Sequence, residues 1–241
     1  MALPSPLAGR SAVLQAARNH PFARLRAHGQ NLIGYAGERS VVWTAENGGV
    51  SSVCAVGDPD EILAICAGAD LIRGAAVLEL PHVDIDILAP LFRIEKHDHW
   101  SVLWTREPSP HHDADDRVVL LPESEYAAID SLLDIAFPAT RNRPGQGPIR
   151  RWFGIHEDGQ LVAVGADRSR NGVGYLVAIA VLPSRQSRGH GAALTRRMTR
   201  ELLGEFDICA LGVTAANTRA RLLYHRLGFT EGIDLTSVRL R

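Results

Sequence analysis

Residues 181–194 of the 241-residue chain read VLPSRQSRGHGAAL, and their types point to one kind of chemistry. Two glycines, Gly189 and Gly191, stand one residue apart between an apolar run and an alanine-rich helix start. A chain that leaves a strand and enters a helix there turns several backbone N–H groups outward at the positive end of the helix dipole. Pyrophosphate is a good ligand for that arrangement. Glycine at 189 and 191 permits positive φ and lets phosphate oxygens approach the main chain with no Cβ in the way. Between Pro183 and Arg200 there are five arginines and no acidic residue, a local basic patch in a chain of formal net charge −1. The candidate anion turn is therefore Ser187, Arg188, Gly189, His190 and Gly191, with Gln186 before it and Ala192 after it.

Two other phosphate loops do not fit. No Lys followed by Ser or Thr succeeds the glycines, and Ala192, Ala193 and Leu194 stand where a G-x-G-x-x-G pattern needs its last glycine.

The turn needs a strand before it and a helix after it, and the sequence supplies both. VGYLVAIAVLP (173–183) is a continuous apolar run, suited to a central strand buried on both faces. A helix over about 190–204 carries apolar residues at 193, 194, 198, 202 and 203. Upstream lie a strand at 117–122, a helix at 123–137 and a Gly/Pro/Arg loop, PATRNRPGQGPIR. A hairpin, RWFGIHE and QLVAVGAD, follows and is joined by Asp158-Gly159. Downstream, DICALGVT reads as a strand and NTRARLLYHRL as a helix ending at Gly228, with GFTEGIDLTSVRLR as a closing pair of strands. The fold class is α/β with a mixed sheet.

The first hundred residues form a separate, smaller α/β domain without a chemical motif. SVVWT and VSSVCAV, joined by AENGG, read as a hairpin; Asp58 caps a helix with Pro59 at its first position; AAVLEL and WSVLWT read as strands. EPSPHHDADDR (107–117) is the expected linker, giving domains 1–110 and 117–241. The first domain's strands and helix allow a second, degenerate copy of the same fold, acting as a lid or dimer surface, but the glycine spacing of AGADLIRGAA (67–76) makes no cofactor turn.

Composition bounds the rest. With 46% apolar and 22% charged residues the chain is globular, and its charge recruits neither nucleic acid nor an acidic membrane. No stretch has the character of a signal peptide or the roughly 18–20 apolar residues of a membrane span. Three cysteines without paired spacing suit a reduced cytoplasm. Among ten histidines, HDHW (97–100) and HH (111–112) lack the H-x-x-x-H spacing of a helical metal pair and read as solvated turns, so no metal is expected.

VLPSRQSRGHGAAL resembles the acyl-CoA signature of the GCN5-related N-acetyltransferases through Gln186, Gly189 and Gly191. Thirty residues on, NTRARLLYHRLGF resembles that family's second signature through Asn217, Ala220, Tyr224, Gly228 and Phe229. The resemblance covers about 117–241, and within it the hairpin RWFGIHEDGQLVAVGA is similar to the glycine-acyltransferase-like (FR47-like) subgroup. It implies an acyltransferase that moves an acyl group from acetyl-CoA, or another acyl-CoA, to the amine of a small or amino-acid-like acceptor. A homodimer is compatible with this; a non-catalytic acyl-CoA sensor is the alternative.

By the same resemblance Tyr224 is the general acid for the departing thiolate, a role that suits a phenol of pKa near 10. The Ile179 amide is the oxyanion partner, the Val181 main chain pairs with the pantetheine arm, and Asn217 sits on the cofactor side or caps its helix. The general base is missing. GYLVAIAV holds no acid, Gly212 stands where an acid is often found, and Tyr175 replaces one branch's glutamate. His156 and Glu157 are expected to face solvent. A water chain, a weakly basic amine or an acid from the N-terminal half are all open. Arg141, Arg143, Arg150 and Arg151 hint at a carboxylate-bearing acceptor, against the plainer reading of a solvated loop.

Overall fold

The computed structural model describes residues 5–29, 31–47 and 49–241, and of Asn47 the backbone only. The chain divides into two compact units. One comprises Met1–Val102, Val213–Asn217 and Gly232–Arg241; the other comprises Leu103–Gly212 and Thr218–Glu231.

The first unit runs β1 (Pro6–Ala8), α1 (Gly9–Ala16), α2 (Pro21–Arg26), β2 (Ile33–Ala36), β3 (Ser40–Asn47), β4 (Val50–Gly57), α3 (Pro59–Gly68), β5 (Val77–Pro81), α4 (Ile85–Leu88) and β6 (Ile94–Thr105). β3 and β4 form the expected hairpin, whose joining turn passes through Gly48, outside the described residues. Asp58 caps α3 by accepting from the Glu61 amide at 3.0 Å, as the Asp-Pro pair implied. α3 and the strands close a core that includes Val42, Val53, Ile62, Ile65, Leu78 and Leu88. β6 begins at Ile94, so HDHW lies in a strand and not in a turn, with the His97 and His99 rings 5.6 Å apart. Glu95, Lys96, His97 and Asp98 hid that strand, since this exposed stretch carries no apolar residue to mark it.

The second unit runs β7 (Val119–Leu121), α5 (Tyr126–Ala136), β8 (Arg151–Glu157), β9 (Gln160–Asp167), β10 (Gly174–Val181), α6 (His190–Leu203), β11 (Cys209–Thr214) and α7 (Thr218–Arg226), and the chain ends in β12 (Glu231–Leu240). Its strands lie in the order β11-β10-β9-β8-β7, antiparallel except for the parallel pair β10 and β11 that α6 bridges. Asp158 (φ 52) and Gly159 (φ 77) are both left-handed, as a two-residue hairpin turn of the predicted kind requires. α6 packs on β8, β9 and β10, burying Leu194, Met198 and Leu202 at four-residue steps; each contributes about 2 kcal/mol.

Two expectations change. Residues 231–240 form one strand, not a pair, and β12 pairs with β5 within the first unit over Leu235–Arg239. Gly232 makes no turn there, and the burial of Leu235, Thr236 and Val238 keeps the segment extended. The linker is also built, not solvated. His112 and Asp115 form a capping box around a short 3-10 turn, Asp113–Arg117, and the Asp115 side chain is wholly buried.

The first unit repeats the pairing order of the second. β2, β3 and β4 are antiparallel, and β4 then runs parallel to β5 for three registered pairs, Ser52↔Val77 to Cys54↔Glu79, with α3 between. β8, β9 and β10 do the same before Gly174↔Cys209 to Leu176↔Leu211.

Candidate active site

β10 changes character halfway along. Its parallel register with β11 covers Gly174 to Leu176 and ends there. On the β9 side the register slips by one residue between Val177 and Ala180, and Ala178 within that bulge has φ 52. A left-handed alanine costs about 1–2 kcal/mol, a strain that bulges beside functional sites carry. Ile179 follows the bulge directly, and Ile179 and Val181 are half-buried. The strand thus re-aims its main chain at the two residues implied to meet the acyl group and the pantetheine arm.

Past Leu182 the chain makes a 3-10 turn, Pro183–Arg185, and Gln186 returns to extended backbone (φ −66°, ψ 164°). Ser187 (φ 65) and Gly189 (φ 82) are then both left-handed. Alternating handedness of this kind folds successive N–H groups into an anion-binding concavity. Gly189 is the N-cap of α6, and no side chain caps the helix. The first-turn amides of His190, Gly191 and Ala192 therefore face forward without a side-chain acceptor. A Cβ on Gly189 would meet no protein atom within 4 Å, so the space in front of it is open.

Gly191 does not do what its spacing suggested. It is helical, and a Cβ there would reach Leu223 Cδ2 at 3.6 Å and Val181 Cγ2 at 4.0 Å, ordinary contacts. Positive φ in the turn falls to Ser187 instead. Serine's short side chain tolerates it there, and its Oγ accepts from Arg219 at 3.1 Å.

The basic patch is also more nearly neutral than its sequence. Arg196 and Arg200 are held by the buried carboxylate of Asp115, at 2.7 and 3.5 Å, and Arg197 by Glu201 at 2.6 Å. Glu157, expected in solvent, lies within 3.4 Å of Arg185 and 3.6 Å of Arg117 and Arg188. It also stands 3.2 Å from the Nε2 of buried His190. Burial lowers the His190 pKa, outweighing the pull of Glu157, so this ring is neutral beneath the turn. The backbone of the turn, with Arg188 and Arg219 at its rim, is what remains for an anion.

Tyr224 lies on α7, and only 7% of it is exposed. Its ring packs edge-on against Phe229, centroids 6.1 Å apart. Burial pushes its phenol up to about 12, so it is a proton holder at every physiological pH. Left-handed Gly228 (φ 89) ends α7, and the Phe229 amide returns to the Tyr224 carbonyl at 3.0 Å, which fixes the two rings together. Asn217 is exposed, one residue before α7, and its amide donates to the Thr214 carbonyl at 3.0 Å. It groups with the first unit, whereas Ile179, Val181, residues 186–192 and Tyr224 all lie in the second.

The loop arginines are mostly engaged within the protein. Arg143 pairs with Asp134 at 2.8 Å and Asp130 at 3.5 Å. Arg150 and Arg151 both bind the fully buried Asp167 and Glu205. Asp167 also accepts from the Ser169 amide and hydroxyl, and Ser169 Oγ accepts from the Tyr175 amide. Tyr175 is buried beside this cluster, 8% exposed. Among the described residues, no group of three or more His, Cys, Asp or Glu is arranged to hold a metal ion, and no helix is long and apolar enough to cross a membrane.

A mixed sheet whose parallel pair is bridged by a helix starting from an uncapped, left-handed glycine turn is the frame of the GCN5-related N-acetyltransferase fold. Residues 152–239 match the family model described as FR47-like protein. The chain is similar in structure to a protein described as an acetyltransferase of the GNAT family from Novosphingobium aromaticivorans, at 20% identity and TM-score 0.58, over 94% of this chain and 95% of that one. It is similar to a GCN5-related N-acetyltransferase from Kribbella flavida at 19% identity and TM-score 0.52, over 95% and 93%. A third, from Sphaerobacter thermophilus, aligns at 16% identity and TM-score 0.55, over 88% and 80%. No curated protein matches the sequence. The chain has the fold of the GCN5-related N-acetyltransferases, and its segment 152–239 matches the FR47-like family model. The first two alignments cover nearly the whole chain, so the first unit is part of the shared architecture.

Proposed function

We propose that the second unit transfers an acyl group, most simply acetyl, from acyl-CoA to the amine of a small or amino-acid-like acceptor. The observation that carries this reading is the turn at 187–191, in which Ser187 and Gly189 are both left-handed ahead of an uncapped α6. That concavity suits the pyrophosphate of coenzyme A. Gln186, Ser187, Arg188, Gly189, His190, Gly191 and Ala192 form its wall, and His190 acts from beneath as packing.

In this reading the thioester lies along the bulged half of β10. The Ile179 amide donates to the carbonyl oxygen as charge develops there, an interaction that in comparable sites is worth about 3 kcal/mol. Val181 offers main-chain groups to the pantetheine amides. Tyr224 hands its proton to the departing thiolate and is reprotonated by the proton the amine nitrogen loses on forming the amide, so its buried phenol ends un-ionised and coenzyme A leaves as the thiol. The acceptor amine must reach the site neutral, because neither β10 nor β11 carries a carboxylate. The buried Asp167 is committed to Arg150, Arg151 and Ser169 and is not free to act as its base.

Release of free coenzyme A from acetyl-CoA, measured across a panel of amines and amino acids, tests the reading together with direct titration of acetyl-CoA. Binding with turnover on some amine supports it. Binding without turnover on any amine leaves a coenzyme sensor, and absence of binding removes the reading. Gly189→Val strains the left-handed position and fills the open space before it, so the variant should fold and lose coenzyme binding.

A further inference from the structure

We infer that Arg219 is a ligand of the coenzyme's phosphate groups, a contact that neither signature specifies; the inference rests on the acyl-CoA reading above. Arg219 stands two residues after Asn217, on the first turn of α7, and is exposed. Its Nη1 donates to Gln186 Oε1 at 3.2 Å and its Nη2 to Ser187 Oγ at 3.1 Å. One guanidinium from α7 thus reaches Gln186, just before the turn, and Ser187, its left-handed first residue.

The partners of the other arginines make this one distinctive. Arg185 and Arg188 face Glu157, Arg196 and Arg200 face Asp115, and Arg197 faces Glu201. Each of those arginines faces a carboxylate, the five sharing three acids. Arg219 touches two neutral oxygens, and among the described residues no carboxylate pairs with it. A guanidinium has five N–H donors in a planar fork, and two contacts leave the fork able to take a phosphate. An anion seated on the amides of 188–191 would lie beside a full positive charge that no internal acid cancels, and charge-assisted bonds of this type are about twice as strong as neutral ones. Coenzyme A offers two such groups, the pyrophosphate and the 3′-phosphate.

Calorimetric titration with coenzyme A and with dephospho-coenzyme A separates them. Wild type, Arg219→Ala, Arg219→Lys and Arg226→Ala are compared; Arg226 shares α7 and donates to the Leu222 carbonyl at 3.3 Å, so it controls for loss of charge alone. Arg219→Ala should weaken coenzyme A at least tenfold and Arg226→Ala less than threefold. Arg219→Lys should fall between, because it keeps the charge and loses the fork. The same loss with dephospho-coenzyme A assigns Arg219 to the pyrophosphate, and a loss that disappears assigns it to the 3′-phosphate; either supports the proposal. Unchanged thermal midpoints without ligand separate this role from a purely structural one. If Arg219→Ala binds both ligands as wild type does, the proposal is overturned while the acyl-CoA reading stands. If wild type binds neither, the reading itself fails.

Discussion

Glu157 Oε1 lies 3.2 Å from Nε2 of His190, the residue that opens α6, so the β8–β9 hairpin and the anion turn share one buried contact. The same carboxylate gathers Arg117, Arg185 and Arg188. It therefore ties two arginines of the turn, and the first residue of α6, to the hairpin.

The buried imidazole gives the fold a pH signature. Burial lowers the folded pKa of His190 below the usual value of about 6.5, so the unfolded chain binds the proton more readily. Stability should be full above about pH 6.5 and decline as pH falls below it, levelling only beneath the folded pKa. Urea unfolding at pH 7.5, 6.5 and 5.5 measures this slope, and His190→Gln should flatten it. A variant with the wild-type slope would assign the effect to another group.

Tyr224 should matter to rate and not to binding. Tyr224→Phe keeps the ring against Phe229 and removes only the hydroxyl. Turnover should fall at least tenfold, about 1.4 kcal/mol of barrier, with acetyl-CoA affinity nearly intact. Because the phenol is raised to about 12, its ionisation lies above the working range. The pH–rate profile should rise as the acceptor amine loses its proton and show no fall assignable to Tyr224 below about pH 10. Unchanged turnover in the phenylalanine variant would remove Tyr224 from the chemistry.

The parts of the site that were legible in the sequence are those whose cause is local. The hairpin turn follows from Asp158-Gly159, the strand from the unbroken apolar run Tyr175 to Leu182, and the turn from a glycine that must be left-handed. What stayed hidden depends on residues distant in sequence. Asp115 sits 81 positions before Arg196, and Glu157 is 28 before Arg185, so a run of arginines looked like a free basic patch. Ser187 at φ 65 has no sequence mark, because serine usually avoids that conformation and only the turn's own geometry imposes it. α1 and α2 were missed too, being eight and six residues long with too few turns for a period to show.

Asp115 should be the acid on which the second unit's stability most depends. Its side chain is fully buried; burial raises its pKa, but the bonds from Arg196 and the His112 amide and the charge of Arg200 outweigh this and leave it lowered. Asp115→Ala leaves two arginines of α6 without their carboxylate, and breaking a buried pair this way costs about 3 kcal/mol or more. Thermal or urea unfolding reads the loss directly. A change under about 1 kcal/mol would show that water replaces the carboxylate without difficulty. Since the folded pKa is lowered, this contribution is present above the ordinary aspartate range near 3.9 and is lost as pH falls through the folded value.

One acyl-CoA should bind per chain, although the pairing order occurs twice. Where the second unit passes from β10 to α6 through an uncapped turn, the first passes from β4 to α3 through Asp58 alone. Asp58 caps α3 with its own carboxylate, and Asp60 and Glu61 add two more charges in its first turn. The Glu61 carboxylate already accepts from the amides of Glu38 and Arg39, at 2.8 and 2.9 Å, and from the Ser40 hydroxyl. The Glu61 amide at that helix start is thus taken by Asp58, the neighbouring turn's donors are taken by Glu61, and a phosphate brought there would meet like charge. Farther along the strand pair, Glu79 on β5 is held by Arg26 at 2.8 Å, with Cys54 of β4 at 3.6 Å, so the edge that pantetheine would follow is also filled. Calorimetric titration of acetyl-CoA should give a stoichiometry near one in the wild type, and Gly189→Val should reduce it to none. A stoichiometry of two, or one site surviving in Gly189→Val, would mean that the first unit binds the coenzyme despite its acidic helix start.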